Sequence, residues 1–412
     1  MLTFASMAST ARSFFVLFAG SLAACNALLG TDPAGVPASD DNDASDSNEG
    51  APGTSKGAPD GGDQVEAVAD GGDGGGQPAV CTEATCPPET LQQGLYAPAG
   101  VAVNGSYIFW IEVGTKIPQA NQYGQLIRLP KDSKCKQRSC YEVLDYYVLG
   151  GEFEGLYIYG TQIALGLSDV CYTQSFNANP GHSISCFALA NPSKRKLDDS
   201  PGEVVDLWVG ATEARWAISS TAAGNADGAI AGRPLKGGTV KVLAPSRFDP
   251  TGVTSDGSKT YWTELGAASP QGAVLTLGAD GGSAPIVTGQ PAPLRVRVFG
   301  EYLYWIDWSA RKILRTRADG SGTAEQIATT DEKPRMLVVD ASGVYWTCSG
   351  TGNQGMYGSV AHAPLTPNGA VTIMMKDIDK VRDIATDSDF LYVASTGTNL
   401  DAGKIVRMKK TQ

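Results

Sequence analysis

Three groups of residues in this 412-residue chain have types and spacing that could do chemistry. Glu112, Glu264 and Asp307 each close a short aromatic segment and look like a carboxylate cluster. Arg295, Arg335 and Arg382 stand near the starts of apolar segments, 40 and then 47 residues apart. Three guanidiniums brought together could clamp a carboxylate or phosphate. Asp331, Glu332 and Asp383 lie close in sequence and could neutralise them. The third group is the eight cysteines. Two histidines in the whole chain leave no multi-histidine metal site and little room for a histidine-dependent enzyme.

Charge divides the chain. Residues 26–79 hold eleven acidic side chains and one lysine, whereas residues 80–412 hold 32 acidic and 30 basic ones. The near-neutral remainder lacks the basic footprint of a nucleic-acid binder. Arg12 precedes the apolar run Ser13–Gly20, which is too short to span a membrane and the right length for a signal core. Leu22-Ala23-Ala24-Cys25 follows it and resembles a bacterial lipobox. The resemblance implies a signal peptide over 1–24 and lipidation of Cys25, an anchor that needs no membrane-spanning helix. It places the protein in the bacterial cell envelope, with the membrane contacted only through the lipid. Asn26, where an Asp would favour inner-membrane retention, points to the outer membrane. Residues 25–79 are Asp, Gly, Ala, Ser and Pro with few large apolar side chains, and read as a disordered acidic linker.

Residues 80–412 repeat. Tyr107–Glu112, Thr260–Glu264, Leu303–Asp307 and Val344–Cys348 are aromatic copies of one segment, and Phe390–Val393 is weaker. Gln162–Leu165 and Ala214–Trp216 fit the two gaps, with blade 2 lacking its aromatic. An apolar strand precedes each copy, and a second alternating strand, a turn such as Asp319-Gly320, and a short fourth strand follow. Four strands per 40–55 residues, with an aromatic on the second, mark the blades of a β-propeller. Seven copies in 333 residues give about 48 per blade, against about 55 for the six-bladed alternative. The repeat opens on a lone fourth strand at Thr90–Gln93 and stops after a third strand at Arg407-Met408, so the first strand should complete the last blade.

These repeats resemble YWTD-type and NHL-like propellers and the "VYW" repeats of envelope lipoproteins. The resemblance implies an all-β fold and, for most relatives, a binding platform. The first-choice expectation is a tethered binding or scaffold propeller for a protein or glycan partner, monomeric, without cofactor and not an enzyme. The alternative is a lactonase-like or lyase-like propeller enzyme with its active site in the central channel. Lactonase-type rings hold a divalent ion by oxygen ligands at the strand openings. Here those positions read Ala99, Glu154, Val204, Thr251, Leu294, Arg335 and Arg382. Cross-strand pairs Glu112–Arg128 and Asp307–Arg315 would absorb the motif acids.

Export places the cysteines in an oxidising space. Cys81 with Cys86, Cys135 with Cys140, and Cys171 with Cys186 are candidate disulfides. Cys348 is left over and reads as a small buried hydrophobe rather than a reactive thiol. The loops between second and third strands are longest in blades 6, 7, 1 and 2, which are consecutive in a closed ring. Tyr123, Tyr172, Phe176, Asn353, Tyr357 and Asn399 on those loops are candidate ligand contacts, as are Arg295, Arg335 and Arg382 at the channel mouth.

Overall fold

The computed structural model describes residues 80–115, 123–148, 162–176, 181–199, 202–278, 281–349, 357–399 and 401–411. The described strands form seven four-stranded antiparallel sheets. Strand β1 (Glu89–Leu95) precedes blade 1, which is β2 (Pro98–Val103), β3 (Tyr107–Thr115), β4 (Tyr123–Pro130) and β5 (Glu142–Val148). Blade 2 is β6 (Ile163–Leu165), β7 (Asp169–Phe176), β8 (Gly181–Ala188) and β9 (Lys194–Asp198). Blade 3 is β10 (Val204–Val209), β11 (Glu213–Ile218), β12 (Gly228–Pro234) and β13 (Lys241–Arg247). Blade 4 is β14 (Pro250–Ser255), β15 (Thr260–Glu264), β16 (Gly272–Leu277) and β17 (Ser283–Gln290). Blade 5 is β18 (Pro293–Phe299), β19 (Tyr302–Asp307), β20 (Lys312–Arg317) and β21 (Glu325–Thr329). Blade 6 is β22 (Lys333–Asp340), β23 (Gly343–Ser349), β24 (Tyr357–Ala363) and β25 (Thr372–Asp379). Blade 7 is β26 (Val381–Thr386), β27 (Phe390–Ser395) and β28 (Gly403–Lys409), completed by β1.

The aromatic dipeptide works because successive side chains on a strand face opposite sides of the sheet. Trp262 packs back onto Ala217 and Ile230 of blade 3, while Tyr261 packs forward onto Val296 and Trp305 of blade 5. Tyr304 reaches Leu337 and Trp346 in the same way. Each pair therefore joins its blade to both neighbours. The tyrosine hydroxyls also fasten the turn between first and second strands: Tyr261 donates to Asp256 at 2.9 Å and Tyr392 to Asp387 at 2.8 Å.

Blade 2 differs from the sequence reading. Gln162–Leu165 is not its second strand; Ile163–Leu165 is the innermost one, and the second is β7. Tyr172 lies opposite Ile163 just as Trp110 lies opposite Val101, so blade 2 does have its aromatic. The preceding position holds Cys171, bonded to Cys186 directly across β8 with a Cα separation of 4.0 Å. The residues from Ser168 to Ser183 that read as a loop are, where described, mostly strand.

The ring closes as expected. Thr90 pairs with Val406 and Gln93 with Lys404. Val80 forms a bridge with Thr411, and Cys81 N–H donates to Lys410 at 2.9 Å. Cys81–Cys86 and Cys135–Cys140 are bonded, with Cα separations of 5.4 and 6.0 Å. The second of these lies in the segment linking β4 to β5, which covers the seam. There Gln92 donates to Cys135 O at 2.8 Å, Arg138 to Gly94 O at 2.6 Å and Arg407 to Lys131 O at 3.1 Å.

Candidate functional site

Every described first strand longer than β6 carries a register shift near its start. Such a bulge turns one residue out of simple alternation. The residue just before the one opposite the aromatic column is Gly100, Gln162, Asp206, Gly252, Arg295, Met336 and Asp383 in blades 1 to 7. These seven positions form the innermost ring, and four of them are polar.

Two carboxylates of this ring fasten neighbouring blades. Asp206 Oδ2 accepts the Val253 N–H at 3.0 Å, and Asp383 Oδ2 accepts the Val101 N–H at 2.9 Å. In both cases the donating blade has glycine just before the donor, Gly252 or Gly100. A Cβ on Gly252 would lie 2.8 Å from Arg295 N, so a side chain there would displace the next blade. Asp383 also accepts the Ile384 N–H at 2.9 Å, yet burial raises its carboxyl to about 6.

Arg295 extends from blade 5 across the centre of the ring. Its Nη1 donates to Gln162 of blade 2 at 3.2 Å, and to Val205 O at 2.7 Å and Asp206 at 3.1 Å in blade 3. Arg297, two residues along β18, binds Asp206 at 2.8 and 3.2 Å. Burial would raise the Asp206 carboxyl, but Arg297 and then Arg295 reverse that effect and hold it below the usual range. Arg295 has a φ of 54°, a left-handed conformation uncommon outside glycine and asparagine.

The three predicted arginines do not occupy equivalent positions. Arg335 and Arg382 precede the inner ring by one residue, and Arg382 Nε donates to Thr396 at 3.1 Å. The partners of Arg295 are Asp206 and Gln162 rather than the other two arginines. Asp206, Arg297 and the ring position of Asp383 were missed because a bulge shifts the count by one, and nothing in the local composition announces a bulge.

The motif acids are satisfied differently from the cross-strand expectation. Arg128 pairs with Glu142 at 2.7 Å and Arg315 with Glu325 at 2.7 Å. Glu112 instead accepts the Trp110 indole N–H at 3.4 Å and the Tyr96 N–H at 3.2 Å, with Arg138 at 3.6 Å. Glu264 accepts the Trp262 indole N–H at 3.2 Å. Asp307 accepts the Ala310 N–H at 2.9 Å, and Trp305 turns to Gln290 at 3.3 Å. Burial raises the carboxyls of Glu112 and Glu264.

On the loop face, Tyr357 is 54% exposed at the start of β24, and Asn399 is exposed in the neighbouring blade. Tyr146, absent from the sequence reading, is 60% exposed on β5 of blade 1. Tyr172 is fully buried, with its hydroxyl on Asp145, and is a core residue rather than a ligand contact. Tyr123 opens β4 and Phe176 ends β7, both on strands rather than within loops. Asn353, Glu154 and Cys25 lie outside the described residues. Cys348 is buried, and desolvation pushes its thiol up to about 12. Burial lowers the imidazole pKa of His182 and of His362. Among the described residues no cluster of three metal-ligating side chains occurs, and no helix is long and apolar enough to cross a membrane.

The architecture and inner ring define a seven-bladed β-propeller. No protein-family model and no curated protein matches the chain. Solved structures share the fold. A catalytically inactive histidine-to-alanine variant of virginiamycin B lyase from Staphylococcus aureus, with quinupristin, is similar at 14% identity and a TM-score of 0.53. That match covers 79% of this chain and 98% of the lyase. A streptogramin B lyase matches at 12% identity and a TM-score of 0.52, covering 79% of this chain and 97% of that one. A chain of a nidogen/laminin complex matches at 15% identity and a TM-score of 0.40, covering 66% and 99%.

Proposed function

We propose that this protein is a lipid-tethered envelope lipoprotein whose propeller binds a protein or glycan partner through the loop face of blades 6, 7 and 1. The observation that carries the reading is the position of the exposed aromatics. Among the large apolar side chains exposed in the described residues, the two aromatic ones are Tyr357 of blade 6 and Tyr146 of blade 1. These blades flank blade 7, where Asn399 is also exposed. Aromatic side chains dominate binding energy when a partner covers them. The Leu22–Cys25 sequence supports the tether, and the acidic Gly/Asp-rich segment after it supports a solvated spacer.

Two measurements test this. Radiolabelled palmitate should mark the wild type and not Cys25→Ala. Envelope extracts passed over the immobilised chain should yield a saturable partner, and Tyr357→Ala or Tyr146→Ala should weaken its binding by about 2 kcal/mol or more. Ser309→Ala, on the short-loop side, should leave binding unchanged. A partner retained by both tyrosine variants and lost on changing Ser309 would place the surface elsewhere.

A further inference from the structure

We propose that the Asn104-Gly105 turn of blade 1 is a self-modification site, where the backbone of the chain converts its own asparagine to aspartate. The inference does not depend on the partner-binding surface proposed above.

The chain has two Asn-Gly pairs, Asn104-Gly105 and Asn368-Gly369. In such a pair the glycine nitrogen, unshielded by a Cβ, can attack the side-chain carbonyl carbon of the asparagine before it. The fold treats the two pairs oppositely. Gly369 N–H donates to Ile327 O at 3.0 Å, and Asn368 N–H donates to Gln326 O at 2.9 Å. Asn368 Oδ1 accepts the Gln326 amide at 3.0 Å. A Cβ on Gly369 would lie 2.5 Å from Pro364, so this turn is packed as well as bonded. Its nucleophile is tied to β21 and cannot swing onto Asn368. Gly105, by contrast, is exposed, and beyond its chain neighbours no atom lies within 4 Å of where its Cβ would stand. Its N–H has no hydrogen-bond partner among the described residues.

The turn also activates the carbon to be attacked. Asn104 Oδ1 accepts the Ser106 N–H at 2.9 Å and the Tyr107 N–H at 2.7 Å, so the side chain folds forward over Gly105. Those two donors are aimed where negative charge collects on Oδ1 as nitrogen adds to Cγ, which is how an oxyanion is stabilised. The Gly105 nitrogen gives its proton to solvent hydroxide and bonds to Asn104 Cγ. The Cγ–Nδ2 bond breaks, and Nδ2 takes a proton from water and leaves as ammonia, which restores the hydroxide. Water then adds to either carbonyl of the resulting five-membered imide and reopens it, as aspartate or as isoaspartate.

Sister blades show that the aspartate fits. Asp256 Oδ1 accepts the Ser258 and Lys259 N–H groups at 2.8 and 2.7 Å, and Asp387 Oδ1 accepts those of Asp389 and Phe390 at 2.9 and 2.8 Å. In both turns the second carboxylate oxygen accepts a tyrosine hydroxyl five residues on, from Tyr261 or Tyr392. Blade 1 has Phe109 at that place. No hydroxyl there holds the departing side of Asn104, and conversion adds one negative charge to the face opposite the loops while keeping the turn.

Ageing the purified full chain at mildly alkaline pH, with peptide mass spectrometry over time, tests the site. In the native chain Asn104 should convert at least tenfold faster than Asn368. In urea at the same pH the two rates should come within about threefold of each other, with Asn104 no faster than in the native chain. Gly105→Ala has open space for its Cβ, should melt as the wild type does, and should slow conversion of Asn104 at least tenfold. Asn104→Asp should also melt as the wild type does. Equal native rates at the two asparagines, faster conversion of Asn104 in urea, an unchanged rate in Gly105→Ala, or a marked fall in the melting temperature of Asn104→Asp would each overturn the proposal.

Discussion

Trp262 donates its indole N–H to Glu264, two residues further along the same strand. Trp110 and Glu112 repeat the arrangement in blade 1. The two-residue spacing puts tryptophan and acid on one face, so the acid accepts from a buried donor that would otherwise lack a partner. Blade 3 has Ile218 at the acid's place, and there the indole nitrogen of Trp216 is buried without a hydrogen-bond partner; in blade 6 the place is taken by Cys348, whose sulfur lies beside the Trp346 indole. The acids that look catalytic in sequence are thus part of the packing unit.

Replacing Glu264 by Ala should cost about 1–3 kcal/mol, because the Trp262 N–H loses its acceptor. Glu264→Gln keeps an acceptor and should cost less. Burial raises the Glu264 carboxyl in the folded state, so folding takes up a proton. The stabilising share of that protonation is complete below the unfolded value of 4.5 and is lost as pH rises through the folded value. Urea denaturation across this range should show the wild type declining relative to Glu264→Gln; parallel curves would contradict the assignment.

Tyr172→Ala should destabilise the fold by about 3–5 kcal/mol, the usual cost of emptying a buried aromatic site. Tyr357→Ala, on the surface, should stay within about 0.5 kcal/mol. Chemical denaturation of the two variants separates core from candidate contact, and a mild effect at Tyr172 would restore it to the loop surface.

Deleting residues 79–95 removes β1 and leaves β28 as an open edge, so melting temperature should fall or aggregation should appear. Deleting residues 31–78 should leave melting unchanged. Equal melting of both deletions would mean that β1 is not the closing strand.

Cys348 should resist alkylation by iodoacetamide at pH 8 in the native protein and react only after unfolding. A thiol pushed up to about 12 carries almost no thiolate at that pH. Rapid native labelling, followed by mass spectrometry, would show the site to be open.

The blade repeat, the seven-fold count and the closing strand were legible because each leaves a periodic trace: an aromatic pair, a Gly-containing turn, and a strand missing at either end. Blade 2 misled because its aromatic column is filled by Tyr172 behind a disulfide cysteine. The polar run Thr173-Gln174-Ser175 then made a true strand resemble a loop, while apolar Ile163–Leu165 resembled the missing copy. The three disulfides were legible from proximity alone. The partners of Arg295 were not, because Asp206 and Gln162 are 89 and 133 residues away and meet it only across the ring.

The Val80–Thr411 bridge gives the molecule a defined load path. A pull on the chain ahead of Val80 enters at the end of blade 7 opposite the loop face, where the Cys81–Cys86 cross-link and the Cys81–Lys410 hydrogen bond meet it first. Beyond them the force runs along β1, which lies antiparallel beside β28. The hydrogen bonds between those strands are then sheared together rather than peeled one at a time. Tension applied through the segment ahead of Val80 would therefore draw on the whole closing strand.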